Sequence, residues 1–185
     1  MPMTTAHKRL ADFLKVDSLD RLFTQPLAHP THLTGFCPCE HSFFKAARFY
    51  IRAAIFTLLS HGPSNKLRIW FLKRCGVKIG NNVIISAGTW IDPIFPQLLT
   101  IEDNVFIGTG VKIATHEYRM NEFRAGRVII REGTLVGGFA TIGCNVEIGQ
   151  HATIAAAALI GNDIPPHATA IGNPARILRK QENQS

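Results

Sequence analysis

An aliphatic residue returns every sixth position through the second half of the chain, and few folds accept that spacing. Ile79, Ile85 and Ile91 open the series, Ile101, Ile107 and Ile113 continue it, and Ile130, Val136, Ile142, Ile148, Ile154 and Ile160 run on without a gap. A period of six does not suit a helix of 3.6 residues per turn. It is an even multiple of two, so every anchor of an extended chain falls on one face. Four positions after most anchors sits a second compact or β-branched residue, among them Val83, Thr89, Val105, Val111, Thr134, Ala140, Val146, Ala152 and Ala158. The residue just after an anchor is small or acidic, as at Gly80, Asp92, Glu102, Gly108, Gly137 and Gly149, with Arg131 the exception. Gly, Asn and Asp between anchors supply sharp corners and positive φ. The pattern predicts a mainly β fold: short strands wound round a triangular prism, anchors inward, successive coils paired about 4.8 Å apart.

The register slips twice, between Ile91 and Ile101 and between Ile113 and Ile130. A repeat lattice accommodates extra residues only as outward loops, where function tends to sit. Before Ile79 the pattern is helical. Ser64-Asn65 is placed to cap a helix over 66–75, Glu40 to Leu59 reads as a longer helix, and a short one is expected around Ala6 to Leu14. Pro26 to Pro38 reads as loop. The expected organisation is a helical N-terminal extension over 1–76, a prism domain with its C-terminal cap over 77–180, and a tail over 181–185.

Residues 1–78 hold twelve Lys/Arg against four Asp/Glu, and residues 79–185 hold eight against nine, so the excess of +8 belongs to the N-terminal part against −1 beyond it. Two readings stand: a solvated helical surface, or contact with something anionic. Nucleic acid is not expected, because no binding motif is present. In the long helix Lys45, Arg48 and Arg52 form a basic stripe among Phe43, Phe44, Phe49, Tyr50, Ile51, Ile55, Phe56, Leu58 and Leu59. Such a helix either packs its apolar face on the protein or a sister subunit, or makes peripheral membrane contact. The four cysteines, Cys37, Cys39, Cys75 and Cys144, read as reduced thiols, and Met1 to Lys15 lacks an apolar signal region. A cytoplasmic location follows as an expectation, at or away from the inner face of the membrane.

The tract Thr100 to Glu117 ends in Ile113-Ala114-Thr115-His116-Glu117 at the larger slip. The closing tract carries Asp163-Ile164-Pro165-Pro166 and Gly172-Asn173-Pro174-Ala175-Arg176. Over roughly residues 65–180 the chain resembles the hexapeptide-repeat acyltransferase superfamily, in the branch of maltose, galactoside, serine and polysaccharide O-acetyltransferases. The resemblance implies a left-handed parallel β-helix, a hand opposite to the usual crossover rule. It implies an acyltransferase with acetyl-CoA as donor and no metal, transferring directly to a small hydroxyl acceptor with His116 as general base, a role that suits an imidazole near neutral pH. Glu117 either orients that imidazole or points away. The closing tract would border CoA, through the small residues Ala156, Ala158, Ala170 and Gly172 and the cations Arg176, Arg179 and Lys180. Asp92 falls where sugar acetyltransferases carry an acceptor-binding acid. Trp90 and Phe95 beside it would form a sugar-stacking wall or simply pack.

The asparagine that accompanies that acid in the maltose and galactoside enzymes is missing at Ile85-Ser86-Ala87. Free maltose or a simple galactoside is therefore not expected. The expected acceptor is another sugar, such as a nucleotide-linked one or, on the strength of the basic aromatic helix alone, a lipid-linked one. The resemblance also implies a homotrimer, with Tyr118 to Arg127 at a subunit junction and Met120 and Phe123 as contacts. Two rivals remain: a non-catalytic prism serving as scaffold or binding module, and a zinc carbonic anhydrase of the same fold. The latter needs three histidines, and no third histidine follows His151 at Ala152-Thr153-Ile154-Ala155-Ala156.

Overall fold

The six-residue period becomes four coils of three short strands each. The structure, a computed structural model, describes residues 5–15, 20–26, 43–60 and 64–180. The first coil holds β2 (Lys78–Ile79), β3 (Ile84–Ile85) and β4 (Trp90–Ile91), and the second β5 (Leu99–Ile101), β6 (Phe106–Ile107) and β7 (Lys112–Ile113). A hairpin then interrupts the winding, β8 (His116–Arg119) and β9 (Glu122–Gly126). The third coil holds β10 (Val128–Ile130), β11 (Leu135–Val136) and β12 (Thr141–Ile142), and the fourth β13 (Val146–Ile148), β14 (Thr153–Ile154) and β15 (Leu159–Ile160). The chain closes with β16 (Ala168–Ile171) and an antiparallel β17 (Arg176–Lys180).

Each prism face is a parallel ladder, with Ile79, Ile101, Ile130 and Ile148 stacked on one, Ile85, Ile107, Val136 and Ile154 on the next, and Ile91, Ile113, Ile142 and Ile160 on the third. All twelve anchors are 0–8% exposed, and the second set at four residues further on is buried with them. Full burial of one such side chain stabilises by about 1.5–3 kcal/mol, so the anchors carry most of the prism's cohesion.

The small residues after the anchors also have a reason. They sit at corners where the backbone of the next coil crosses. A Cβ on Gly108 would lie 2.6 Å from the amide nitrogen of Gly138, and one on Gly137 2.5 Å from that of Ala156.

The helices lie close to the expected places. They are α1 (Thr5–Phe13), α2 (Phe43–Ser60) and α3 (Asn65–Arg74). Helix α3 closes the first coil. Asn65 donates from Nδ2 to the Val83 carbonyl at 3.0 Å and accepts the Ile85 amide at 3.1 Å, while Arg68 donates to the Ile85 carbonyl. These satisfy backbone groups that a coil end would otherwise leave open. Ser64 stands at the N-cap but its side chain makes no capping bond.

Strand β1 (Leu22–Pro26) lies in the N-terminal extension, where only helices are expected, and pairs antiparallel with β9, making the three-stranded order β1-β9-β8. The extension is thus not only helical. Cys75 and Cys144 are free thiols, and burial pushes Cys144 up to about 11. Cys37, Cys39, most of the Pro26–Pro38 segment and the tail 181–185 lie outside the described residues.

Gly137→Ala places a methyl against fixed backbone and is expected to destabilise by about 1–3 kcal/mol, the usual cost of overpacking. Gly161, where an added Cβ meets nothing within 4 Å, is the control: Gly161→Ala should change stability by less than about 0.5 kcal/mol in urea titration.

Candidate functional site

Both register slips occur at the same corner of the prism, after the third strand of a coil. Asp92 follows Ile91 in the first coil, and Ala114 follows Ile113 in the second. The Asp92 amide donates to the Ile113 carbonyl at 3.0 Å, which brings the start of the hairpin over Asp92. The lattice therefore stacks Thr115 and His116 on a carboxylate 24 residues away in sequence.

That carboxylate is fully buried, at 0% exposure, and all its partners are donors. Oδ1 accepts the Ile94 amide at 2.9 Å. Oδ2 accepts the Thr115 amide at 3.2 Å, the Thr115 hydroxyl at 2.8 Å, and His116 Nδ1. Burial alone pushes the Asp92 carboxyl up. The hydrogen bond and charge of His116, then the Ile94 amide and the Thr115 hydroxyl, outweigh it and hold the group below the ordinary carboxylate range. An ionised carboxylate only accepts, so Nδ1 of the neutral ring carries the proton and Nε2 keeps its lone pair. A base oriented by a buried acid is thereby available at the corner.

The imidazole side chain is 16% exposed and stands among three aromatic rings. Phe95 lies edge-on at 5.7 Å between centroids, Tyr118 edge-on at 5.6 Å, and Phe123 tilted at 6.1 Å. Behind them a second apolar cluster joins Phe95, Leu98, Phe123 and Ala125 to Leu10 and Phe13 of the α1 region and Phe23 of β1. The N-terminal segment thus builds the wall behind His116. Two arginines hold it there. Arg127 donates to the carbonyls of Asp20, Phe13 and Lys15 and lies over the Phe13 ring. Arg21 grips both carboxylate oxygens of Asp163, at 3.0 and 2.8 Å, and this bond raises Arg21 and lowers Asp163 from their ordinary values. Asp163 also accepts the Glu147 amide at 2.8 Å, so the acid of the closing tract ties the prism end to the N-terminal strand.

The structure redistributes several expected roles. Glu117 does not meet the imidazole: its carboxylate pairs with Arg119 and Arg124, both at 2.9 Å. Asp92 takes that place, and as a fully buried carboxylate held by Ile94, Thr115 and His116 it does not face solvent. Phe95 is a buried packing partner of His116, whereas Trp90 stays exposed on the outer face of β4. Phe123 is 0% exposed within its own chain, so it is no surface contact for a sister subunit, while Met120 is exposed at the hairpin turn. Ala158 and Ala170 turn their methyls into the prism core, because they occupy inward positions of the repeat. Ala156, Gly172 and Arg176 are exposed near the closing strands. Arg179 and Lys180 belong to β17, and their side chains are outside the described residues. Thr115, Ile94 and Phe23 carry no signal of their own in the sequence, although Thr115 directly follows Ala114, which stands one coil above Asp92 in the repeat. Among the described residues no group of His, Cys, Asp and Glu is placed to hold a metal ion.

A coiled prism whose only long interruption carries an acid-oriented imidazole defines a class, and comparison with known proteins gives the family. The chain is 33% identical over 121 residues to YvoF of Bacillus subtilis (strain 168), an acetyltransferase by name, across 65% of this chain and 69% of that protein. It is 38% identical over 112 residues to SAV2555 of Staphylococcus aureus (strain Mu50), likewise an acetyltransferase by name, and spans 56% of that protein's length. The solved hexapeptide-repeat acetyltransferase VCA0836 of Vibrio cholerae superposes with a TM-score of 0.64 at 20% identity, covering 78% of this chain and 96% of that one. A galactoside acetyltransferase in complex with coenzyme A gives 0.58 at 20% identity, covering 74% of this chain and 82% of that one. No family-wide sequence model matches the chain. The fold is the left-handed parallel β-helix, and the chain belongs to the hexapeptide-repeat acetyltransferases.

Because Asp92 sits lower in the folded chain than unfolded, its ionised pairing contributes stability that is complete above its unfolded value, about pH 4. That contribution is lost as pH falls through the folded value. Urea titrations from about pH 5 to pH 3 should therefore show a steeper loss of stability in the wild type than in Asp92→Asn. Parallel curves would show that the carboxylate is not held in its ionised form.

Proposed function

We propose that the protein transfers the acetyl group of acetyl-CoA to a hydroxyl of a small acceptor, a sugar by preference, with His116 as general base. The observation that carries this reading is the buried Asp92 carboxylate holding Nδ1 of His116, which leaves Nε2 as the basic nitrogen at the corner. As the acceptor oxygen attacks the thioester carbonyl, its proton passes to Nε2. The tetrahedral adduct then collapses, the carbon–sulfur bond breaks, and the imidazolium returns the proton to the departing CoA sulfur. Asp92 stabilises the imidazolium between these steps. No covalent enzyme intermediate is needed.

Support for the donor comes from relatives in fold. VCA0836 has been solved with acetyl-CoA and the galactoside enzyme with CoA. In this chain the pantetheine arm would run along the exposed Ala156 and Gly172, with Arg176 toward the phosphates. The backbone, not the inward methyls, would be met at Ala158 and Ala170. A homotrimer is supported by the outward ladder of Ile84, Phe106 and Leu135, which are 49, 41 and 46% exposed on successive coils. The exposed Trp90 supports a sugar face. A cytoplasmic location goes with acetyl-CoA as donor.

Calorimetric titration with acetyl-CoA, followed by thiol release in the presence of an acceptor panel, tests the proposal. Wild type and His116→Ala should bind acetyl-CoA alike, near 10 μM or about 7 kcal/mol. Transfer by the variant should fall by about 10²- to 10⁴-fold. Absence of donor binding in both would leave a scaffold, and transfer at the wild-type rate by the variant would remove His116 from the chemistry.

A further inference from the structure

The helices that close the first coil present an apolar face that acetyl transfer does not use. On α2, Tyr50, Ile51, Ile55 and Leu58 are 62, 59, 46 and 73% exposed, and with Ala54 they share one side of the helix. Phe56 lies on the other side, buried against Phe71 of α3 with ring centroids 5.7 Å apart. The exposed side therefore faces away from the prism. Helix α3 adds Leu67 and Trp70, 44 and 57% exposed. Large apolar side chains gathered on one exposed face mark an interaction surface.

The segment that carries this face has charge of a single sign. Residues 41–91 contain eight Lys/Arg and no Asp or Glu. Lys66, Lys73 and Arg74 are exposed on α3, and the Arg74 guanidinium lies 5.7 Å over the Trp70 ring. A second copy of the chain fits such a face poorly, because two cationic rims would meet. An anionic bilayer fits all parts of it. Aliphatic side chains enter the acyl boundary, Trp and Tyr rest at headgroup depth, and Lys and Arg meet the phosphates.

We propose that the α2–α3 cap is a peripheral docking surface for a bilayer rich in anionic phospholipid. Contact is with the surface only: none of the described helices is long and apolar enough to cross a membrane. The proposal does not depend on the acetyl-transfer reading.

Co-sedimentation of the full chain with vesicles tests it. One set is pure phosphatidylcholine, and the other contains about a third phosphatidylglycerol. The wild type should sediment with the anionic vesicles and not with the neutral ones. The apparent affinity should fall at least about tenfold between low and high salt, as screening of surface charge requires. Ile51→Glu with Leu58→Glu, at positions already exposed, should lose binding while keeping its circular dichroism. Lys73→Glu with Arg74→Glu should weaken binding separately. No binding of the wild type to anionic vesicles would overturn the proposal. So would unchanged vesicle binding by the Ile51→Glu, Leu58→Glu variant, and if that variant also failed to self-associate where the wild type does, the face would belong to a sister subunit.

Discussion

Parallel backbone hydrogen bonds hold each coil one strand spacing above the last, and that register brings Asp92 beneath His116. The Asp92 amide is itself part of the ladder, donating to Ile113, so its carboxyl has little freedom to move. A slip of one residue would turn Ile91 and Ile113 outward and carry the acid away from the corner. The anchors prevent that slip, since Ile91, Ile113 and Ile142 are each buried to 1% or less. Core and site are therefore the same device: the aliphatic residues that stabilise the prism also fix the geometry of the acid–imidazole pair.

The hairpin that bears His116 needs more than this. A two-stranded ribbon in water is marginally stable at best. Here β1 adds a third strand, and its Phe23 packs edge-on against Phe123 with ring centroids 6.4 Å apart. Pro26, at the end of β1, is tolerated because β1 is the edge strand and Pro26 is its last residue. Arg127 fastens the stretch from Phe13 to Asp20 to the prism, and the adjoining Arg21 reaches across to Asp163. The N-terminal region thus gives rigidity to the imidazole through the aromatic wall behind it.

How far the sequence foretold this depends on the range of each interaction. The twelve anchors were legible because a strict period needs no knowledge of partners, and α2 and α3 fell within a few residues of their expected bounds. Glu117 was weighed as an orienting partner through adjacency, but successive residues of a strand face opposite sides. His116 and Glu117, both in β8, therefore diverge. The sequence suggests Asp92 as an acceptor contact, although its hexad position equals that of Ala114 one coil later, and the coil arithmetic already places it beside the start of the loop that bears His116. Strand β1 left no comparable signal: five residues ending in proline pair with a segment about a hundred residues away.

The tautomer of His116 tests the central claim most directly. Long-range proton–nitrogen NMR of the imidazole in the free protein above neutral pH distinguishes the two neutral forms. The structure predicts the proton on Nδ1, with Nε2 unprotonated, and a loss of that preference in Asp92→Asn. A proton resident on Nε2 in the wild type would contradict the account, because the nitrogen meant to accept the acceptor's proton would already be occupied.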